Sequence, residues 1–321
     1  MRLLFFDSML PFPVYQSLLM AQTLFSSQPD AALPLKSFLA SPPEHSFFAV
    51  IGSPVGHSKS PLIHNIALCK HAVRARYYAI DTPANAFAWI GRLLSHSGFR
   101  GLNITIPHKS RIMDVLDSVD PLAQEVGAVN TVHQHRTGFV GYNTDVAGFV
   151  KALEPHALLY TGQTAVVLGS GGAARAAVAA CRELRLEQAI VVSRNPQNAA
   201  GWPAVLNRIP VKVVSYDQLE ASLHQAALII NTTPLGMYPK TGTSAIPPQA
   251  GHLLEGKVCM DAIYNPLETH FMKQARHNKA YAVVNGLEMF IEQAAAAFNI
   301  WTGKSFPRED ARDAMRRQLQ G

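Results

Sequence analysis

An apolar run, Thr164-Ala165-Val166-Val167-Leu168, gives way to Gly169-Ser170-Gly171-Gly172 and then to an alanine-rich stretch through Leu184, an order that few backbones satisfy. The run is short, continuous and rich in β-branched residues, which suits a strand buried on both faces. Alanine is the best helix former, so the stretch after the glycines reads as a helix. Glycines between a strand and a helix permit a sharp turn and leave the first amides of the helix open to a phosphate. Gly169, Ser170, Gly171, Gly172 and Ala173 are therefore candidate contacts for the pyrophosphate of a dinucleotide. Ala174 stands where the commoner Gly-x-Gly-x-x-Gly pattern has its third glycine, and a methyl there still permits close helix packing.

Further apolar runs at 189–192, 211–214, 228–230, 258–263 and 282–284 predict a mostly parallel sheet covered on both faces. The run at 189–192 ends in Val192-Ser193-Arg194, where an NAD-binding chain places an acid for the ribose 2′-hydroxyl. The planar guanidinium of Arg194 suits the 2′-phosphate of NADP instead, the other reading being a solvated arginine at a strand end.

A similar rhythm starts earlier, with runs at 47–51, 75–80 and 101–106 alternating with helical stretches from Pro61, at 84–94 and at 111–116. Here Ser58 and Ser60 flank Lys59, and on an extended chain residues two apart point the same way, so both hydroxyls can meet one anion. Ser60 also reads as the N-cap of a helix whose first residue is Pro61. The run at 101–106 delivers Lys109 to a helix start, where a cation opposes the helix dipole; that suits a lysine that exchanges a proton. Asp145 precedes another helix and reads, taken alone, as its cap. A last long helix, 287–298, follows the second set of strands. Residues 1–46, rich in Pro, Ser and Ala, read as an extension or linker.

At 321 residues, 48% apolar and 16% charged, the chain is long enough for two packed units with a cleft between them. The net charge of +6 is spread along the sequence, with Arg316-Arg317 the one adjacent arginine pair, so it suits anionic small molecules better than nucleic acid. Three isolated cysteines, Cys69, Cys181 and Cys259, form no zinc or disulfide pattern, and the thirteen histidines show no metal-ligand spacing. The apolar start Leu3-Leu4-Phe5-Phe6 is broken by Asp7, Pro11 and Pro13, too short for a signal peptide or a membrane span. A cytoplasmic compartment is expected.

Taken in order, several multi-residue segments resemble the shikimate dehydrogenase family from Phe47 to the C-terminus. They are Ser58-Lys59-Ser60-Pro61, Asn103-Ile104-Thr105-Ile106-Pro107-His108-Lys109, Gly127-Ala128-Val129-Asn130-Thr131 and Asn143-Thr144-Asp145. In the later half Asn231-Thr232-Thr233-Pro234-Leu235-Gly236-Met237, Asp261-Ala262-Ile263-Tyr264-Asn265-Pro266 and the segment from Asn285 to Gln293 follow the same pattern. The resemblance implies two α/β domains: a discontinuous substrate-binding domain, 47–145 plus 288–321, and a Rossmann-type NADP-binding domain, 146–287, with a parallel sheet. It implies Lys109 and Asp145 as the catalytic pair, and Ser58, Ser60, Thr105, Asn130, Asp145, Tyr264 and Gln293 as the substrate's contacts. Ser193, Arg194, Asn195, Thr232, Ala262 and Gly286 join the glycine turn as cofactor contacts.

The implied activity is the reversible NADPH-linked reduction of 3-dehydroshikimate to shikimate, a step of chorismate and aromatic amino acid biosynthesis, by a monomer or homodimer with no metal. Asn198 stands where tight NADP binders of the family often carry a second basic residue, so the resemblance leaves the strength of NADP preference open. Two other readings stand beside it: a quinate/shikimate dehydrogenase using NAD, and a non-catalytic dinucleotide sensor.

Overall fold

The computed structural model describes residues 32–199, 206 and 208–320. Two sheets organise them. The first has seven strands: β1 (Leu33–Pro34), β2 (Ser46–Gly52), β3 (Ala75–Asp81), β4 (Phe99–Ile104), β5 (Ser118–Val119), β6 (Thr131–His135) and β7 (Gly138–Tyr142), ordered β1-β3-β2-β4-β6-β7-β5. Strands β1 to β4 pair in parallel, whereas β6 runs antiparallel to both β4 and β7. The second sheet has six strands: β8 (Thr164–Leu168), β9 (Gln188–Val192), β10 (Val211–Val214), β11 (Ala226–Asn231), β12 (Val258–Asp261) and β13 (Ala282–Val284), ordered β10-β9-β8-β11-β12-β13. Every pair in it is parallel. That order reverses direction between β8 and β11, and the crevice at such a switch point is where open α/β sheets bind ligands.

The apolar run of β8 is continuous because both its faces are covered. Ala165 and Val167 pack with the alanines of α6 (Gly172–Glu183), while Val166 and Leu168 pack on the other side with Leu219, Leu223 and Phe271. The first sheet is likewise enclosed. Phe47, Ala49 and Ile51 of β2 share one core with Phe87, Ile90 and Phe99; Phe48 and Val50 share another with Ile63 and Leu68 of α2 (Ser60–Lys70).

The chain returns to the first sheet at its end. α9 (Gly286–Thr302) follows β13, yet Leu287, Phe290, Ile291 and Phe298 are buried against Phe48, Val50 and Tyr77. The Trp301 indole donates to the Val132 carbonyl at 2.9 Å and lies over Gly101, where any side chain would collide with the ring. α10 (Arg308–Gln320) then ties α9 down, with the Arg312 guanidinium forked onto the Glu288 carboxylate at 2.7 Å on both oxygens.

The fold departs from the sequence reading in several places. Residues 33–40, expected within an extension or linker, supply edge strand β1 and helix α1 (Leu35–Ala40), whose Leu35 and Phe38 are buried. Strand β4 ends at Ile104, so Thr105 to Lys109 form a turn rather than strand. The segment Arg111–Val115 is a 3₁₀ helix, too short to present a substantial dipole to Lys109. The β6–β7 hairpin was not anticipated. Among the described residues no helix is long and apolar enough to cross a membrane.

Candidate active site

A cleft of about 710 Å³ opens between the C-terminal ends of β2 and β4 in the first sheet and of β8, β11 and β12 in the second. Lys109 and Asp145 sit within it. The turn after β4 carries Lys109, whose carbonyl accepts from the Val129 amide at 2.7 Å, so its backbone is fixed to the segment leading into β6. Asp145 opens α5 (Asp145–Leu153), but it does not cap the helix. The Asn143 side chain accepts from the amides of Asp145 and Val146 at 3.1 and 3.3 Å, which leaves the Asp145 carboxylate available. One oxygen of that carboxylate accepts from Lys109 Nζ at 2.5 Å and the other from Asn130 Nδ2 at 2.8 Å. Both members are largely buried, with side-chain exposures of 17% and 7%. An ammonium has three N–H donors and Asp145 takes one, so Lys109 is aimed while still able to serve a second oxygen.

Ser58, Ser60, Thr105, Asn130, Tyr264 and Gln293 line the same cleft. The serines meet there for a different reason from the one their spacing suggested. Lys59 has φ −94° and ψ 4°, so the chain is not extended between them. The helix begins at Ser60 with Lys59 in the cap position, and it is Ser58 Oγ that accepts from the Ser60 amide, at 3.3 Å. Neither serine is the N-cap: Ser58 Oγ serves the first amide of the helix from one residue before the cap, and Ser60 is a buried residue of the first turn. Tyr264 stacks on Phe290 with ring centroids 4.3 Å apart. Burial pushes its hydroxyl up to about 12, against a weaker pull from the Lys59 backbone, so at neutral pH it is a proton-bearing donor. Gln293 reaches the cleft from α9, its amide donating to the Phe290 carbonyl at 2.8 Å.

On the opposite wall stand Ser170, Gly171, Gly172, Ala173, Thr232 and Ala262. Gly169 has φ +108°, and a Cβ there would lie 2.8 Å from Thr232 Oγ1, so only glycine turns the chain beneath the Thr232 loop. At Gly172 a Cβ would press on the Lys109 aliphatic chain at 3.3 Å, which puts the first residue of α6 directly beside the lysine. Ser170 Oγ is 2.8 Å from Ser193 Oγ, and that oxygen also accepts from the Asn195 amide at 3.2 Å. This bridge joins the glycine turn to the end of β9.

Gly169, Ser193, Arg194, Asn195 and Gly286 do not line the cleft itself. Ser193, exposed Arg194 and exposed Asn195 extend from its edge past Ser170, while Gly286 opens α9 and packs on the Ala262 carbonyl. The side chain of Asn198 lies outside the described residues.

Sequence reasoning did not single out Ile106, Met237, Tyr238, Asn265, Met289 or Phe290 as site residues, although all line the cleft. Most are apolar, and an apolar side chain that faces a cavity has the same sequence signature as one that faces a core. Asp261 was also passed over. It is fully buried at the end of β12; one oxygen accepts from Asn231 Nδ2 and the Ile263 amide, both at 3.0 Å, and the other from Thr269 Oγ1 at 2.6 Å. Asn231 in turn holds the amide and hydroxyl of Thr233, so this one carboxylate anchors both loops of the second wall. Burial raises its pKa to about 6, with those three hydrogen bonds acting the other way.

Residues 50–132 match the family model of the shikimate dehydrogenase substrate binding domain, and residues 286–320 that of the Shikimate 5'-dehydrogenase C-terminal domain. A shikimate dehydrogenase (NADP(+)) from Moorella thermoacetica is 38% identical over 264 residues, which cover 81% of this chain and 88% of that protein. Shikimate 5-dehydrogenase from Thermus thermophilus, solved in complex with NADP(H) and shikimate, superimposes with a TM-score of 0.74 at 36% identity, covering 85% of this chain and 100% of the other. Quinate dehydrogenase from Corynebacterium glutamicum in complex with NAD superimposes with a TM-score of 0.75 at 28% identity, covering 85% and 99%.

Proposed function

The chain belongs to the shikimate dehydrogenase family, and we propose that it catalyses the reversible NADPH-linked reduction of 3-dehydroshikimate to shikimate in the cleft between its two sheets. The observation that carries this reading is the Lys109–Asp145 ion pair, which lies between a polar wall bearing Ser58, Ser60, Thr105, Asn130 and Gln293 and a glycine turn suited to a dinucleotide. We take residues 47–145 with 288–321 as the substrate-binding part and 146–287 as the NADP-binding part. The β1–α1 segment is added to the former.

The second wall fits the cofactor. The turn from Gly169 to Ala173 offers backbone at the start of α6, and the strand before it ends beside the switch point. No carboxylate follows β9; Ser193 and Arg194 stand there, a hydroxyl and a guanidinium suited to a phosphate. Bound NADPH would supply a hydride to the ring carbonyl.

The remaining work belongs to the chain. As charge develops on the carbonyl oxygen, Lys109 Nζ donates a proton to it, and in the reverse direction takes it back. Asp145 holds that ammonium in line through its 2.5 Å contact and presents its remaining acceptor capacity to a ring hydroxyl. Ser58, Ser60 and Tyr264 hold the substrate carboxylate with hydroxyl donors, while Asn130, Thr105 and Gln293 meet the ring hydroxyls. Apolar Ile106, Met237 and Phe290 limit water around the reacting atoms.

The test is spectrophotometric turnover of shikimate and of quinate, each with NADP and with NAD. Shikimate with NADP is expected to give the highest kcat/KM. Preferred turnover of quinate with NAD would replace this reading by that of a quinate dehydrogenase, and absence of turnover with tight dinucleotide binding by that of a sensor.

A further inference from the structure

The residue before Lys109 is a histidine that lies outside the cleft. His108 shares the turn after β4 with the lysine, yet it is 1% exposed and does not line the cavity. Its ring lies 5.6 Å from that of Phe87, a residue of the 3₁₀ segment Ala84–Trp89 that is buried in a core of the first sheet. Its Nε2 is 2.6 Å from the Thr82 carbonyl oxygen. A carbonyl can only accept, so the ring carries a hydrogen on Nε2 and donates it: one N–H meets one acceptor. Thr82 follows β3 directly and has no solvent exposure; its amide donates to the Gly52 carbonyl at 2.8 Å and its hydroxyl to the Ile80 carbonyl at 3.1 Å. The acceptor is itself fixed.

The backbone of the turn is attached at two other places. On the β2 side the Thr105 amide donates to the Ile51 carbonyl and the Ser53 amide to the Ile106 carbonyl, each at 2.9 Å. On the β6 side the Lys109 carbonyl accepts from the Val129 amide at 2.7 Å. A turn held at two places can still rock about them. The His108 side chain adds a third attachment, to the end of β3, which lies two strands from β4 in the sheet. Within the turn the His108 amide donates to the Thr105 carbonyl at 3.0 Å, and its own carbonyl accepts from the Ile112 amide at 2.9 Å, so the histidine cannot move without the backbone that carries Lys109. Of two adjacent side chains, one anchors the turn in the core and the other faces the reacting atoms.

We propose that His108 is a positioning residue for proton transfer: its bond to Thr82 fixes the tilt of the turn, and with it the direction from which the Lys109 ammonium meets the substrate's carbonyl oxygen. His108 itself touches neither substrate nor cofactor and exchanges no proton with them. The proposal rests on the function given above and deepens it, adding a residue behind the cleft to those on which the rate depends.

His108→Phe keeps a flat ring beside Phe87 and removes the donor. It is expected to lower kcat about tenfold, while the affinity for NADP(H), followed by nucleotide fluorescence, stays within about twofold of wild type. The solvent deuterium isotope effect on kcat should rise, because a misaligned proton transfer becomes the slower step. His108→Gln brings an amide N–H close to the place of Nε2 and should return kcat to within about threefold of wild type, with the wild-type isotope effect. A purely structural role would lower Tm and the number of NADP(H)-binding sites, yet leave kcat per site and the isotope effect unchanged; that result, or His108→Gln as slow as His108→Phe, overturns the proposal. If His108→Phe is too unstable to assay, His108→Met fills the same space with a flexible chain that has no donor, and it must show the same fall in kcat and rise in isotope effect. Wild-type protein that turns over no shikimate would fail the functional reading itself, a different result from an active enzyme indifferent to His108.

Discussion

Lys109 is held at three levels: its carbonyl by Val129, its aliphatic chain against Gly172 and its ammonium by Asp145. A group fixed so closely is suited to a step whose rate depends on alignment. Lys109→Ala should lower kcat by roughly 10²- to 10⁴-fold with little change in NADP(H) affinity, read by steady-state kinetics beside a fluorescence titration. Near-normal turnover would remove Lys109 from the reaction. Arg194 is exposed, next to a strand end without an acid. A charged hydrogen bond is worth about 1.5–3 kcal/mol, so Arg194→Ala should erode a ten- to hundredfold preference for NADP while leaving the NAD rate nearly unchanged. A mutant that keeps the full preference would place the selecting residue elsewhere. Ser58, Ser60 and Lys109 were legible from their local chemistry, and Thr105, Asn130, Asp145 and Gln293 from the resemblance, whereas Asn265, Tyr238, Met289 and Phe290 were not singled out. Asp261 escaped for a further reason: its anchoring partners, Asn231 and Thr269, are distant along the chain.

At the scale of elements, β1 and α1 carry a testable weight. Phe38 is 3% exposed and makes edge contacts with the rings of Phe47 at 5.1 Å and Tyr78 at 5.5 Å, which lie on β2 and β3. Phe38→Ala should cost about 3 kcal/mol or more of stability, measured by denaturant titration, through lost burial and the cavity left behind. A cost under about 0.5 kcal/mol would show that the α1 segment is dispensable surface. The segment was illegible because Leu33-Pro34 is too short to show any period and the proline reads as a breaker, although at a sheet edge its missing N–H costs nothing. β6, by contrast, was missed because Thr-Val-His-Gln-His alternates only at its start, and its polar half is exposed on the hairpin. The strands of the second sheet were legible in full outline, since burial on both faces leaves a continuous apolar run that no solvent-facing requirement interrupts. The reach of α9 back to the first sheet is a tertiary fact with no local signal; only the resemblance predicted it.

Two fully buried ionisable side chains, His64 beside the first sheet and Asp261 on the second, oppose each other in acid. His64 has its folded pKa near 3, below its unfolded value of 6.5, so the unfolded chain takes up the proton first. Its contribution to stability is complete above about pH 6.5 and is lost as pH falls towards 3. Asp261 behaves in the reverse sense: its folded pKa near 6 exceeds the unfolded 3.8, so between these values the native state binds the extra proton and acidification stabilises it. A tenfold change in proton affinity is worth about 1.4 kcal/mol, and folding alters the affinity of His64 more than that of Asp261, so on balance this pair weakens the fold as pH drops from neutrality. His64→Phe keeps an aromatic ring stacked on Tyr77 and removes the titration. Its Tm relative to wild type should rise steadily from about pH 7 to about pH 4.5. Asp261→Asn should show the opposite trend over the same range, its Tm relative to wild type highest near neutrality and falling in acid, since Thr269 can turn its hydroxyl to accept from the new amide. Melting curves of the three proteins across that pH range decide the matter: parallel Tm profiles would mean that neither buried group titrates with folding, and both assignments would fall together.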